Sequence, residues 1–425
     1  DVNLLPALQA AFDDPAVQSD PILQKIADQA EIGRLMPVSP EMGCVWDAII
    51  EPLTDVMADV QTASDAASEM QASAMACTDL LYLNKYWTQS NRDGFNNPEN
   101  QQIPSLEVFG DYLYAGVWNG GDTVEAQIWR TYSGAAWELV DQRPASGASY
   151  LKAFDGFLYA GSWDGKLWRT ANGTDWGPEL IVPGYDPSQN GIARMEVFDG
   201  KLYLGTWKGA SGTLIWRTSN GLDWTPFATG IGDDSNNTGA ISSAVFNGML
   251  YIGVSNWTTG AELWRTDGVT WSLVKENGFA DTENNVVSPL AVYNGYLYAS
   301  MFNETSVQIY RSLDGTTWAR VIDGTIGPLP PEGSNALEVY AGNLYLVTGQ
   351  ETDGLQVWRT SNGLSWTQVA YKGFGDSANG WSFWDSATMV FKQKLYVGTN
   401  NFATGGEVWK YFPYIYRFHC PVVQR

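Results

Sequence analysis

The chain has 425 residues, a formal net charge of −23, and 20 Trp, 21 Tyr and 16 Phe, against one His and three Cys. Such acidity argues against nucleic acid or an anionic membrane surface as partner, and no apolar run approaches the ~18 residues of a membrane-spanning helix. The single histidine, His419, excludes His-cluster metal sites and argues against a Ser-His-Asp nucleophile.

Residues 1–79 form a distinct N-terminal segment, rich in Ala, Asp, Gln and Met, with one Trp and no Tyr. Pro52 suits a first helical turn, and Asp55 and Asp59 favour the positive end of a helix dipole. Leu53, Val56, Met57, Val60, Ala63, Ala67, Met70 and Ala74 follow at i, i+3, i+4, i+7 spacing, which predicts an amphipathic helix over residues 52–76. Such a helix either packs on its own segment or serves as an arm for partners or polymerisation.

From Ile103 a unit of about 47 residues repeats. An apolar strand ends in an aromatic, as in Met195-Glu-Val-Phe198 or Leu337-Glu-Val-Tyr340. A hairpin pair follows (Asp155-Gly156, Asp199-Gly200, Asn247-Gly248, Asn294-Gly295), of the kind that tolerates positive φ at both positions. A second strand carries Leu-Tyr and a glycine two residues on, read as room for a large ring from a neighbouring strand. The third strand is Trp-Arg-Thr, and a turn leads to a fourth strand at a trailing Trp: Leu214 to Trp224, Ala261 to Trp271, Gln308 to Trp318 and Gln356 to Trp366.

Repeated four-stranded antiparallel units of this length predict a β-propeller. Tyr114, Tyr159, Tyr203, Tyr251, Tyr298, Tyr345 and Tyr396 each mark one second strand, so the expected fold is an all-β, seven-bladed β-propeller preceded by a small α-helical segment. The last unit lacks a turn and trailing Trp after Val408-Trp409-Lys410. Tyr86-Trp-Thr-Gln89 with Gly94-Phe95 matches Trp366-Thr-Gln368 with Gly373-Phe374, so residues 80–90 are expected to close the ring as the outer strand of the last blade. The propeller then spans residues 80–412, with an extended tail at 413–425.

If the third-strand Arg faces the trailing Trp, Lys410 faces Trp87, and an antiparallel ribbon continued from there places Cys77 opposite Cys420. A helix over 52–76 is ~36 Å long at 1.5 Å per residue. The eight residues back to Cys44 recover only ~26 Å, so the expected disulfide is Cys77–Cys420.

Ser312-Leu-Asp314-Gly315-Thr-Thr-Trp318 resembles the Asp-box of sialidase-type propellers, Ser-x-Asp-x-Gly-x-x-Trp, one residue short, with Asn220 or Asn362 replacing the Asp in other copies. In that family the box is structural and lies away from the active site, whose chemistry uses an arginine triad. Here Arg130, Arg169, Arg217, Arg265, Arg311 and Arg359 occupy the repeated Trp-Arg position and read as scaffold. Arg92, Arg143, Arg194 and Arg320 are too scattered for a triad, so no catalytic set is assigned.

On the opposite face, second strands end in register at Trp118, Trp163, Trp207 and Phe302, with Trp257 and Phe402 nearby and Trp381, Trp384 and Asp385 ahead of the last blade. Rings around an Asn/Gly-rich mouth suit carbohydrate; packing between blades is the other reading. In the linking loops Asp233/Asn236, Asp281/Asn284 and Asp376/Asn379 offer oxygens that suit calcium, or cap their own backbone. Glu125, Asp164, Glu304, Glu351, Asp353 and Asp385 are non-repeated acids on that face, with no pair singled out for glycoside hydrolysis. No cofactor is required by any of these features. The expected function is a non-catalytic structural or adhesive protein, extracellular or at the cell surface, that self-assembles through its arm and tail. The alternative is a lectin-like or glycan-cleaving propeller.

Overall fold

The computed structural model describes residues 62–413, except 121–124, 187–190, 208–211, 230, 232–233, 304–305, 325, 327–333, 350–353 and 381–386, together with residues 48–49, 52–57 and 60. The chain divides into two compact units, Asp1–Tyr82 and Leu83–Arg425. Residues 52–57 are helical, and the long helix α1 spans Ala63–Asn84. Thr62 starts α1 as a side-chain cap: its Oγ1 accepts the Asp65 N–H at 3.1 Å and donates to Asp65 Oδ2 at 2.7 Å. That capping pair places the start of α1 later than the apolar spacing alone suggested, and the helix also ends eight residues further on.

In the second unit the strands follow the repeat. The first group runs Asn100–Phe109, Tyr112–Asn119, Glu125–Thr131 and Glu138–Arg143, each paired antiparallel with the next. Similar groups follow, the second with three strands, Ala148–Phe154, Phe157–Ser162 and Leu167–Thr170, in place of the expected four; the last described comprises Thr388–Phe391, Lys394–Gly398 and Val408–Tyr411. Its outer edge is covered by the N-terminal strand Trp87–Gln89. From the second group on, the hairpins between first and second strands have positive φ at both turn residues, such as Asp155 at 48° and Gly156 at 76°. Ala341, Lys392 and Gln393 adopt the same left-handed region without the help of Gly, Asn or Asp.

The strand register corrects two expectations. In the regular groups the Arg faces the residue after the trailing Trp, as in Arg265↔Ser272 and Arg359↔Thr367, while the following Thr266 is the residue that faces Trp271. The strand Trp87–Gln89 obeys the same offset, Trp87↔Tyr411 and Thr88↔Lys410. The ribbon that aligned Cys77 with Cys420 is therefore out of register by one. Cys77 moreover lies within α1 rather than on an extended strand, and Cys420 falls outside the described residues.

Contrary to expectation, the second-strand glycines do not make room for an aromatic ring. A Cβ on Gly116 would lie 2.2 Å from the Ala148 carbonyl oxygen, and one on Gly161 would strike Ile192 at 2.6 Å. They let the first strand of the next group come close. The large rings go elsewhere. The second-strand tyrosines are fully buried, and their hydroxyls reach the hairpin glycine of the following group: Tyr114 to Gly173, Tyr159 to Gly221, Tyr251 to Gly315 and Tyr298 to Gly363. Tyr396 of the last group reaches Gly134 of the first. Tyr345 meets no such turn and packs on Tyr411, 5.8 Å between centroids.

The repeated arginines lie beside these tyrosines. Arg169 Nη1 donates to Tyr159 Oη at 3.1 Å and to the Asn220 carbonyl at 3.3 Å, while Arg217 Nη1 donates to the Gly268 carbonyl at 2.6 Å. Lys410 holds the same place in the last group and donates to the Gly134 carbonyl at 2.7 Å. Ile103 N–H donates to Thr399 O at 3.1 Å, a second tie between the first and last groups.

The substitution Gly221→Ala places a methyl 1.6 Å from Tyr159 Oη at a backbone φ of 72°. It should destabilise the protein by about 2–4 kcal/mol in denaturant unfolding. Adding Tyr159→Phe should recover the steric part but leave the backbone strain; no recovery would show that the hydroxyl contact is not the cause.

Candidate functional site: the aromatic face and the central cavity

The linking loops resolve into one recurring polar knot. Asn284 Nδ2 donates to Gly278 O at 2.7 Å and Gln308 Oε1 at 3.0 Å, and its Oδ1 accepts from Asn303 at 3.0 Å. Asn379 does the same with Gly373, Glu407 and Asn401, and Asn100 with Gly94, Gln127 and Asn119. The third loop holds Asn237, bound to Ile231, Glu262 and Asn256, rather than Asn236. Its acidic partner is Asp234; Asp233 falls outside the described residues. Paired Asp and Asn residues in sequence concealed this one-residue shift, which is fixed by the carbonyl six residues before each buried Asn.

Asp281 Oδ1 accepts the Glu283 N–H at 3.2 Å and Oδ2 accepts from Gln308 at 2.6 Å; Asp376 is held likewise by Ala378 and Asn401. The oxygens proposed for calcium thus cap backbone and bind neighbouring amides. Among the described residues no cluster of three or more His, Cys, Asp or Glu is placed to hold a metal ion.

The aromatic positions share a face but differ in access. Trp118, Trp163 and Trp207 are half-buried and Phe302 is buried. Trp207 packs with Ala193, Ile241, Val286 and Phe302. Trp257 is 41% exposed and Phe402 61% exposed; Trp257 tilts on Phe302 at 5.7 Å, and Phe402 meets Trp118 edge-on at 6.5 Å. Trp381, Trp384 and Asp385 lie outside the described residues, as do Glu304, Glu351 and Asp353. Glu125 is bonded by Gln142, and Asp164 by Ser162 and Lys166. These acids do not converge.

A feature absent from the sequence reading is a cavity of about 180 Å³ on which the first strands converge. Four of its lining residues, Glu107, Lys152, Glu338 and Met389, share one repeat position, the residue facing the buried tyrosine. Around the repeat that position holds Glu107, Lys152, Glu196, Ala244, Ala291, Glu338 and Met389 in succession. The Leu-Glu-Val-aromatic pattern looked like strand signature, yet its glutamates alternate with lysine and apolar residues, which was the available signal.

Within the cavity Lys152 pairs with Glu196 at 2.9 Å. Ser243 links Glu196 to Arg194, donating to the first at 2.9 Å and accepting Arg194 Nε at 2.9 Å. The Arg194 guanidinium lies over the Tyr150 ring, 5.0 Å away. Burial pushes Glu196 up, but Lys152 and Arg194 outweigh it and hold the carboxyl below its usual range. Burial lifts Glu107 and Glu338 each to about 7, the former against the pull of Lys152.

This architecture defines a β-propeller. Solved structures similar to it are YCF48 from Cyanidioschyzon merolae and YCF48 bound to D1 peptide. The first has a TM-score of 0.52 and 14% identity, covering 77% of this chain and 99% of that one. The second has a TM-score of 0.50 and 11% identity, covering 76% and 94%. The WD40 β-propeller domain of Doa1 is similar at a TM-score of 0.49 and 13% identity, covering 76% and 96%. No family model matches the chain. The maltotriose-binding protein of Pyrococcus abyssi (strain GE5 / Orsay) is 29% identical over 59 residues, 14% of this chain and 13% of that protein.

Because both raised carboxyls hold their protons more tightly in the folded than the unfolded chain, they contribute stability below pH ~4.5 that is lost as pH rises to about 7. Glu107→Gln/Glu338→Gln should flatten that fall. Thermal melts between pH 4.5 and 8 test it; an unchanged slope would assign it to other groups. Separately, Asn284→Ala should lower stability by about 2–3 kcal/mol, since it removes the buried hydrogen bonds to Gly278, Gln308 and Asn303, and the melt of the native protein should be the same in EDTA as in calcium.

Proposed function

We propose that the protein is a non-catalytic extracellular or cell-surface binding protein, a seven-bladed propeller whose ring is closed by the strand Trp87–Gln89 and whose aromatic face engages carbohydrate. Support for closure comes from the contacts of Lys410 and Tyr396 with Gly134, which reproduce between last and first groups what Arg217 and Tyr159 do between neighbours. The hairpins behave as degenerate Asp-boxes: Asp314 Oδ1 accepts the Thr316 and Thr317 N–H groups at 2.7 Å each, and Asn362 and Asn220 do the same in theirs.

The observation that carries the reading is the exposure of Trp257 and Phe402 on one face, each seated against a more buried ring. Flat apolar area beside loops rich in Asn and Thr is what a sugar ring needs. On a glycan array the protein should give hits, and Trp257→Ala or Phe402→Ala should weaken them about tenfold, roughly 1.4 kcal/mol. A silent array, or hits indifferent to both changes, would reject carbohydrate.

Self-assembly is the second reading, favoured by the opposite face. There the third-to-fourth-strand hairpins expose Leu222 at 53%, Val269 at 76%, Leu313 at 63% and Leu364 at 50%. Sedimentation should show association that Val269→Glu/Leu313→Glu abolishes; a monomer at all concentrations would dismiss it.

A further inference from the structure

At the central cavity the repeat departs from itself in charge. Scaffold residues recur from blade to blade, whereas the cavity position changes from Glu to Lys to Ala to Met around the repeat. The two cations there are already engaged, Lys152 with Glu196 and Arg194 with Ser243 and Tyr150. Glu107 and Glu338 are not matched in this way. Glu338 Oε1 accepts the Val339 N–H at 3.1 Å and the carboxyl also bonds Thr388; Glu107 accepts the Ala153 N–H. Neither has a lysine or arginine within ion-pair distance among the described residues. They feel each other as like charges, and both line the cavity. Three carboxylates against two cations leave one negative charge uncompensated when all are ionised.

We propose that the Glu107–Glu338 side of the cavity is a binding site for a protonated primary amine. An ammonium supplies three donors and the single positive charge that the site lacks. A divalent cation fits less well, because Glu196, the remaining carboxylate, is bound to Lys152 and no third carboxylate, His or Cys is placed to complete a metal shell among the described residues. The cavity offers many times the space of one water, so the amine can carry several carbons. Leu106, Leu290 and Leu337 contribute apolar wall for them.

Binding requires the two carboxyls to ionise, so it releases protons and strengthens as pH rises through about 7. Lys152, Arg194 and Glu196 are the other charged groups that act on the pair. The site is independent of the aromatic face and of any carbohydrate bound there.

Isothermal titration of the full chain with Nα-acetyl-lysine methylamide and with glucosamine tests this and separates a peptide source of the amine from a sugar source. At least one probe should bind, at least tenfold more tightly at pH 8 than at pH 6, with proton release. N-acetylglucosamine should not bind in the cavity. Glu107→Gln and Glu338→Gln should each weaken binding tenfold or more, while Trp257→Ala leaves it unchanged. Circular dichroism and thermal melts confirm that the Gln variants fold. Failure of both probes to bind, binding unaffected by the Gln changes, or binding that weakens as pH rises would each overturn the proposal.

Discussion

The structure depends on the contact between a buried tyrosine hydroxyl and a glycine in the next hairpin. A tyrosine buried to the last atom brings a large apolar area to the seam between blades, but its hydroxyl must meet a turn at close range. Only a residue without Cβ leaves room, and the turn's left-handed φ selects glycine for a second reason. The neighbouring arginine bridges the same seam from hydroxyl to turn carbonyl. Each blade is thereby locked to the next at its hairpin face, while the Asn-centred knots bind the opposite face. Between these two polar seams lie separate apolar clusters, each drawing on neighbouring blades.

Much of the fold was legible because these constraints recur. The Asp-Gly and Asn-Gly hairpins and the Leu-Tyr strand each have a local physical reason for their sequence. Where reasoning went wrong, it concerned quantities that local chemistry leaves open. The offset of Arg from the trailing Trp is set by turn geometry, and one residue of error carried through to the Cys77–Cys420 alignment. The start of α1 is set by the Thr62–Asp65 cap, a two-residue signal beneath a longer apolar pattern. The second-strand glycine was rightly read as a close approach, but what approaches is a strand rather than a ring.

The candidate site was legible in part for a related reason. The aromatic face could be seen because rings recur at one register position, yet their exposure is decided by neighbours such as Ile241 and Val286 that the register does not reveal. The cavity escaped notice because Glu107, Glu196 and Glu338 sit inside a pattern that recurs. In a repeat protein the informative residue is the one that breaks a repeated position, and that can be judged only once equivalent positions are aligned through strand pairing.

The Lys410 contact with the Gly134 carbonyl also bears on how the chain comes into being. During synthesis the first blade's hairpin is made nearly three hundred residues before the lysine that binds it. Trp87–Gln89 likewise waits for Val408–Tyr411, the last strand to emerge. Until then both edges of the nascent sheet array stay open, and the earliest segment of the domain is the last to find its place. The pairing of Trp87–Gln89 with Val408–Tyr411 is thus a test of completeness, one that a chain truncated before residue 408 does not pass.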